Sequence, residues 1–271
     1  MSERMTAPRL GQAAPDYVPG HDLLAGKVVV VTAAAGAGIG AAVVRRVLEE
    51  GARHVVVSDT HERRLGEARE ELAAEFGADR VTTRVCDVTD NVAVLELLGA
   101  AEEVGGVDVM VNNAGLGGTA SITEISDADW NKVIDITLTG TMRCVRAASA
   151  SMIANGKRGV VVNNASVIGW RAQEGQAHYA AAKAGVMALT RCAALDLAPH
   201  GIRVNAVSPS LAMHPFLAKV TSDELLAELE QREAFGRAAE PWEVANVMVF
   251  LASDYASYLT GEVVSVSSQH A

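Results

Sequence analysis

The sequence predicts an α/β fold, namely a Rossmann-type doubly wound parallel sheet of about seven strands flanked by helices. Short valine-rich runs alternate with helix-like segments, and strands that are buried on both faces of a parallel sheet have this composition. A glycine cluster joins the first run to the first helix, where such folds bind phosphate groups. The predicted strands are Val28–Val31, Val55–Val57, Val81–Val85, Val107–Val111, Val160–Val162, Ile202–Val207 and Val263–Val266.

Helix-like segments separate these strands, as the right-handed crossovers of a parallel sheet require. Residues 1–23 contain Pro8, Pro15 and Pro19 without periodicity, which predicts an irregular N-terminal extension. Residues 24–271 are predicted to form a single domain, because neither a linker nor an internal repeat interrupts the alternation. The helices are predicted near residues 39–50, 61–76, 91–104, 127–154, 178–198 and 241–253.

Composition narrows the possible partners of the chain. The net charge of −10 argues against nucleic-acid binding, which needs basic surface, and weakly against an anionic membrane. No stretch is apolar enough to predict a membrane span, and the N-terminus lacks a secretory signal pattern. The three cysteines, Cys86, Cys144 and Cys192, match no zinc motif. We therefore expect reduced thiols, no metal site and a cytoplasmic location.

The glycine cluster is the first candidate binding element. Gly36, Gly38, Ile39 and Gly40 lie at the predicted turn from the first strand into the first helix. Glycines let the backbone approach a pyrophosphate, and the helix N-terminus offers free N–H groups to it. An ordinary tight turn could also carry this pattern, so the prediction of a nicotinamide dinucleotide site depends on the residues that follow.

Asp59 follows Gly40 by 19 residues and ends the second predicted strand. A carboxylate there can accept hydrogen bonds from the adenosine ribose hydroxyls and would repel a 2′-phosphate, which favours NAD over NADP. His61, Arg63 and Arg64 come just after it and weaken this preference, so NADP stays an alternative. Asp59 could instead be a surface turn residue.

The next two strand ends carry further candidate cofactor residues. Asp87 and Val88 follow the third strand and place a carboxylate and a backbone amide where an adenine edge can bind. Asn113, Ala114 and Gly115 follow the fourth strand, and small residues there let the sheet edge lie close to a dinucleotide. Taken alone, this last segment could be an ordinary turn.

Ser166, Tyr179 and Lys183 are the candidate catalytic residues. Tyr179 and Lys183 are four apart on one predicted helix face, and Ser166 precedes Tyr179 by 13 residues after the fifth strand. A lysine ammonium favours a nearby phenolate, so Tyr179 could exchange a proton with an alcohol while Ser166 holds the substrate oxygen. The set predicts an oxidoreductase that interconverts a secondary alcohol and a ketone. A surface lysine beside a half-buried tyrosine is the alternative interpretation.

These residues resemble the short-chain dehydrogenase/reductase family, and the match extends from about Leu24 to Val266. The resemblance implies a Rossmann-type fold, Tyr179 as the acid/base, a nicotinamide cofactor and a homotetramer or homodimer. It also implies that the segment at Pro209 contacts the nicotinamide. The matching residues are Gly36–Gly40, Asp87, Asn112–Gly115, Ser166, Tyr179, Lys183 and Arg203–Pro209.

The chain departs from the family pattern at four positions. Thr32-Ala33-Ala34-Ala35 replaces the usual threonine-glycine start of the phosphate loop and adds one residue, which predicts a modified loop path. Thr137 stands where the family often has a catalytic asparagine. Ser210 and His214 replace the usual glycine and threonine after Pro209, and the common final Asp-Gly-Gly is replaced by residues 267–269.

The substrate is predicted from two features. In combination, Thr32–Gly40 and residues 163–166, 169–173 and 267–270 resemble an actinobacterial branch that is associated with degrading the indane rings of steroids as CoA thioesters. The segment Ser208–Glu240, the substrate lid in this family, carries an apolar stretch that suits a hydrophobic ring: Leu211, Met213, Pro215, Phe216, Leu217 and Val220. We therefore expect a bulky cyclic hydroxyacyl-CoA as the small-molecule substrate.

Three alternatives remain at this point. An NADPH-dependent 3-oxoacyl-thioester reductase shares the predicted fold and the three catalytic residues, and Asp59 argues against it. A methyltransferase also uses a glycine turn and a ribose-binding acid, but it does not need the Ser-Tyr-Lys set. A non-catalytic nicotinamide sensor could be built on the same fold, and Thr137 leaves room for it.

Overall fold

The computed structural model describes residues 14–213 and 223–268. These residues form a seven-stranded parallel sheet of order β3-β2-β1-β4-β5-β6-β7 with helices on both faces, which confirms the predicted Rossmann-type fold. The valines of β1, β2, β4 and β5 are buried, as expected for strands covered on both faces, whereas the edge strands β3 and β7 are partly exposed. The strands are β1 Val28–Val31, β2 His54–Asp59, β3 Val81–Val85, β4 Val109–Asn112, β5 Val160–Asn164, β6 Arg203–Pro209 and β7 Val263–Val266.

The helices lie close to their predicted positions, with one difference. The predicted helix over residues 127–154 is interrupted by a π-helical turn at Asp135–Thr139, which carries Thr137. Interruptions of this kind are frequent at functional sites because they redirect side chains. The α-helices are α1 Ile39–Glu49, α2 Glu62–Phe76, α3 Asn91–Glu102, α4 Asp127–Ile134, α5 Gly140–Ala154, α6 Ala177–Leu197, α7 Asp223–Arg232 and α8 Pro241–Ala252.

The strand order decides where a ligand can bind. From β1 the chain proceeds outward through β2 and β3, and then returns to the other side of β1 with β4. At such a reversal the connecting loops separate and leave a crevice at the carboxyl ends of the strands. The glycine loop after β1 and the loop after β4 border this crevice, and the loop after β5 lies one strand farther along.

The described part of the N-terminal extension lies across α1 and α8. The Tyr17 ring packs edge-on against Trp242 at 5.3 Å and beneath the Arg46 guanidinium at 5.5 Å. The Glu50 carboxylate is buried; it pairs with Arg46 and accepts the backbone N–H groups of His21 and Leu23. The segment has no regular secondary structure, and these contacts hold it on the domain. Within the described residues, no helix is long and apolar enough to cross a membrane.

Candidate active site

The loop after β1 takes an unusual backbone path. Ala33 has φ of 50°, a left-handed conformation that favours glycine, and it occupies the position where the family pattern places glycine. Gly36 also has positive φ, at 139°. The Thr32 hydroxyl accepts hydrogen bonds from the N–H groups of Asn113 and Ala114, both at 3.0 Å. These bonds attach the loop after β1 to the loop after β4. The loop accommodates its extra residue with the left-handed backbone at Ala33, which is strained for a residue other than glycine.

Gly40 is the position of this loop that tolerates no side chain. A Cβ there would lie 2.5 Å from the Ala33 carbonyl oxygen and 2.5 Å from Asn113 Nδ2, which is far inside van der Waals contact. A Cβ at Gly38 would meet nothing within 4 Å, and its backbone is extended, with φ of −101°. The open space beside Gly38 at the start of α1 is the kind of cradle that a pyrophosphate fills.

We expect a substitution at Gly40 to affect mainly folding stability and a substitution at Gly38 to affect mainly cofactor binding. Gly40→Ala should lower the free energy of unfolding by about 1–3 kcal/mol, because backbone atoms must move apart to admit the methyl group. Gly38→Ala should leave the unfolding midpoint nearly unchanged and weaken dinucleotide binding, because its methyl group enters the cradle. Thermal unfolding and calorimetric titration with NAD measure the two effects. Equal destabilisation by the two variants would contradict this interpretation.

The acidic candidates lie at the carboxyl ends of β2 and β3. Asp59 Oδ2 accepts a hydrogen bond from Ala35 N at 3.3 Å, so its carboxylate is attached to the glycine loop. Asp87 begins the segment after β3, where its carboxylate accepts hydrogen bonds from the N–H and the hydroxyl of Thr89. Val88 next to it is buried. Both residues therefore lie at the carboxyl-end edge of the sheet, and their contact with a cofactor stays a prediction.

Ser166, Tyr179 and Lys183 are brought together where β5 meets α6. Ser166 caps a short 3₁₀ turn after β5, where its Oγ accepts a hydrogen bond from Ile168 N at 3.3 Å, and its hydroxyl is near enough to Tyr179 to act on the pKa of that phenol. Tyr179 and Lys183 lie on the same face of α6, and Lys183 Nζ is 5.6 Å from the centroid of the Tyr179 ring. Lys183 Nζ donates a hydrogen bond to the Asn164 carbonyl oxygen at 2.5 Å. The structure thus assembles the three residues predicted from spacing.

The electrostatics of this group differ from the expectation that Lys183 lowers the pKa of Tyr179. Burial raises the pKa of Tyr179 to about 12, and the hydrogen bond from Ser166 lowers it only in part. Burial also lowers the pKa of Lys183 to about 8. Without ligands the site therefore holds a neutral phenol, because desolvation outweighs the influence of a lysine 5.6 Å away.

Thr137 is fully buried in the π-helical turn, and its hydroxyl is occupied by the loop after β4. It accepts a hydrogen bond from Leu116 N at 3.0 Å and donates one to Leu116 O at 3.2 Å. The side chain thus fixes the backbone next to Gly115, whose Cα faces Lys183. A single hydroxyl with both of these bonds has little capacity left for a further partner.

Comparison with known proteins gives the family. A family model described as Enoyl-(Acyl carrier protein) reductase matches residues 33–268. A crystal structure of a short chain dehydrogenase from Mycobacterium smegmatis superposes with a TM-score of 0.85 and 55% identity, and covers 96% of this chain and 100% of that one. The chain belongs to the short-chain dehydrogenase/reductase family. It is therefore an oxidoreductase of the kind that interconverts secondary alcohols and ketones with a nicotinamide cofactor.

Two relatives in this family have named substrates. The chain is 59% identical over 258 residues to (5R,7aS)-5-hydroxy-7a-methyl-1-oxo-2,3,5,6,7,7a-hexahydro-1H-indene-carboxyl-CoA reductase of Mycobacterium tuberculosis, covering 95% of this chain and 98% of the relative. It is 43% identical over 247 residues to cis-4-hydroxycyclohexanecarboxylate dehydrogenase of Sinomonas cyclohexanicum, covering 90% and 96%. Both names describe a hydroxyl or oxo group on a carbon ring. The steroid-related branch predicted from residues 163–166 and 169–173 is thereby confirmed.

A set of buried amides at the ends of β4 and β5 of this dehydrogenase was not predicted from the sequence. Asn112 Nδ2 donates to Asn163 Oδ1 at 2.8 Å, and Asn163 Nδ2 donates to the Thr190 hydroxyl at 2.9 Å. A signal was present, because two consecutive asparagines follow the valines of each of these two strands. Polar pairs at matching ends of neighbouring buried strands indicate hydrogen bonding between them.

The walls beside Tyr179 come from two loops that are bonded to each other. Gln176 Nε2 donates to Gly118 O at 2.8 Å, and Ala120 N donates to Gly175 O at 3.0 Å. Pro209 ends β6, where it pairs with Val266 of β7. Of the apolar residues in the predicted lid, Leu211 and Met213 lie within the described part of the chain, and α7 forms a later part of the lid segment. His214, the apolar residues Pro215, Phe216, Leu217 and Val220, and the ending Gln269-His270 lie outside the described residues.

Proposed function

We propose that Ser166, Tyr179 and Lys183 catalyse the alcohol–ketone interconversion of this enzyme. The observation that carries the proposal is the convergence of the three side chains: Lys183 Nζ lies 5.6 Å from the Tyr179 ring centroid, and the Ser166 hydroxyl is near enough to lower the pKa of the same phenol. The Ser166 hydroxyl can hold the substrate oxygen beside the Tyr179 hydroxyl, which transfers the proton. A bound nicotinamide supplies the hydride chemistry. The hydrogen bond to the Asn164 carbonyl orients the Lys183 side chain, so that its ammonium can favour the Tyr179 phenolate.

The residues around the crevice fit a nicotinamide dinucleotide. The open space at Gly38 suits the pyrophosphate, and Gly36, Ile39 and Gly40 complete the turn into α1. Asp59 is placed to bind the adenosine ribose, while Asp87 and Val88 border the adenine side. Asn113, Ala114, Gly115, Tyr179, Lys183 and Pro209 line the nicotinamide half. This arrangement supports NAD as the preferred cofactor, because a carboxylate at the ribose repels a 2′-phosphate.

We expect Asp59→Ser to shift the cofactor preference towards NADP. Two like charges near a protein surface repel by about 1–4 kcal/mol, so the NAD/NADP ratio of kcat/KM should fall by about tenfold or more. Glu62→Ser is the matched control, because Glu62 is an exposed carboxylate in the first turn of α2. The ratio should stay unchanged in the control. A wild-type enzyme that uses NADP as well as NAD would sink the assignment.

A cyclic hydroxyacyl-CoA is the substrate class that we propose, in agreement with the ring substrates in the names of the two relatives. A cavity of about 410 Å³ lies between the loop after β4 and the loop before α6. Small and apolar side chains form most of its wall: Ala120, Ile122, Ala172, Ala177 and Ala180. A volume and lining of this kind suit an apolar ring. The same loop after β4 also contacts the Tyr179 ring, at Gly117.

Turnover of three substrates tests this assignment. The CoA thioester of a bicyclic hydroxy acid should have a higher kcat/KM than its free acid and than a linear 3-hydroxyacyl-CoA. A linear thioester that reacts best would favour a 3-oxoacyl-thioester reductase and contradict the ring assignment. A free acid that matches the cyclic thioester would contradict the CoA assignment. A wild-type protein that binds NAD and turns over none of these substrates in either direction would favour the nicotinamide sensor over the enzyme proposed here.

A further inference from the structure

The paired asparagines at the ends of β4 and β5 form two separate sets of contacts. Asn112 and Asn163 are opposite each other in the strand register and lie in the protein interior, where their chain of bonds ends on Thr190 of α6. Asn113 and Asn164 follow one residue later on each strand, at the edge of the crevice. The inner set ties the sheet to α6, which is a structural role.

The outer set connects the glycine loop to the catalytic lysine. Asn113 Nδ2 donates to Ala33 O at 2.9 Å, and Asn164 Nδ2 donates to Asn113 Oδ1 at 2.9 Å. The Asn164 carbonyl oxygen then accepts the hydrogen bond from Lys183 Nζ at 2.5 Å. Asn164 therefore contacts the Asn113 amide through its side chain and the Lys183 ammonium through its backbone carbonyl.

We propose that Asn164 is a positioning residue for Lys183, held in place by its side-chain bond to Asn113. This bond restricts rotation of the Asn164 residue, and with it the direction of the carbonyl that receives the ammonium. Asn164 Oδ1 is buried and makes no hydrogen bond with the described residues. An unpaired buried amide oxygen costs about 1–3 kcal/mol. The amide is therefore kept at a cost in stability, and the contact that it makes in return is the bond from its Nδ2 to Asn113.

The surroundings of Lys183 make its titration a direct reporter of this geometry. Its lowered pKa is due to burial alone. Among residues 14–213 and 223–268, the titratable side chain that faces it is Tyr179, on its own helix. Gly115, from the loop after β4, faces it without a titratable group, and Thr137 of the π-helical turn lies beside Gly115. Asn164 contributes the neutral carbonyl from β5.

Two substitutions at Asn164 should move the titration of Lys183 in opposite directions. Asn164→Leu removes the bond to Asn113, so the carbonyl is held less firmly and the pKa of Lys183 should fall by about one unit. Asn164→Asp keeps the shape and adds a carboxylate in the same residue, so the pKa should rise. Thr190→Val is the matched control: it breaks the inner set by removing the acceptor of Asn163 and should leave the pKa unchanged.

The side-chain NMR signal of the Lys183 Cε atom, among five lysines in the chain, follows this titration without any substrate. We also expect kcat of Asn164→Leu to fall about tenfold with little change in KM for NAD. The inference rests on the proposed role of Tyr179 and Lys183, and an inactive wild type would count against that role alone, since the NMR titration needs no turnover. Coincident titrations of Lys183 in wild type and in Asn164→Leu or Asn164→Asp, or an equal shift in Thr190→Val, would overturn the positioning role.

Discussion

Replacing Tyr179 with Phe should lower kcat by about 10²–10⁴-fold and leave NAD binding nearly unchanged. The hydroxyl is the group that we propose exchanges a proton with the substrate, whereas the ring only packs against the loop after β4 at Gly117. The raised pKa of about 12 shows how strongly the protein alone favours the neutral phenol. A phenol that is neutral before ligands bind is prepared to donate its proton to a ketone, and the charged groups of the complete site must favour the reverse transfer.

The measurement separates chemistry from binding. Absorbance of reduced nicotinamide gives kcat, and calorimetric titration gives the dissociation constant of NAD. Tyr258→Phe is the matched control, because Tyr258 is fully exposed and the same atom is removed. The control should retain wild-type kcat. A Tyr179→Phe enzyme with more than about a tenth of the wild-type kcat would show that another group transfers the proton.

The fold could be predicted because each buried strand has its own sequence signal. The valine runs of β1, β3 and β7 have the predicted bounds, and the alternation with helices determined the parallel class. The other four strands end one or two residues beyond the apolar run, as at Asn163-Asn164 of β5, because backbone pairing continues past the last apolar side chain. The ends of an element depend on such pairing, which local composition does not encode.

The residues that form the candidate site could be predicted from the sequence, whereas their pKa values could not. The spacing of Tyr179 and Lys183 places both on one face of α6 whatever surrounds them. Their pKa values depend instead on burial by β5 and on the loop after β4, which are distant in sequence. The role of Asn164 escaped prediction for the same reason. Its two partners, Asn113 and Lys183, are 51 and 19 residues away along the chain.

Replacing Lys183 with Met should lower kcat by about 10²-fold or more and also change how stability depends on pH. Lys183 is buried with a single hydrogen bond from its ammonium, to the Asn164 carbonyl, and its pKa is lowered from 10.5 to about 8. Between these values the unfolded chain holds a proton that the folded protein has lost. The free energy of unfolding of the wild type therefore rises with pH across this window, by about 3 kcal/mol in total.

The Met variant lacks this gain, so its stability relative to the wild type should be highest below about pH 8 and fall by about 3 kcal/mol towards pH 10.5. The Asn164 carbonyl loses its donor in the variant, which costs about 1–3 kcal/mol and offsets part of the advantage at neutral pH. That loss is the same at every pH, so the change across the window remains. Tyr179, whose pKa is raised, begins to oppose stability only above about pH 10, and it does so in both proteins.

Denaturant unfolding at about pH 7 and about pH 10, with Lys132→Met as the control, measures this change. Lys132 is exposed on α4, so its replacement should give the same difference from wild type at both pH values. Parallel stability curves for Lys183→Met and wild type would mean that Lys183 keeps its proton throughout the window. In that case the ammonium is stabilised by more than the Asn164 carbonyl, and burial does not control its charge. Stability curves of Lys183→Met and wild type that diverge with pH, together with a loss of turnover, would support the proposed role. They would show that the reaction requires the Lys183 ammonium although its burial lowers the stability of the protein.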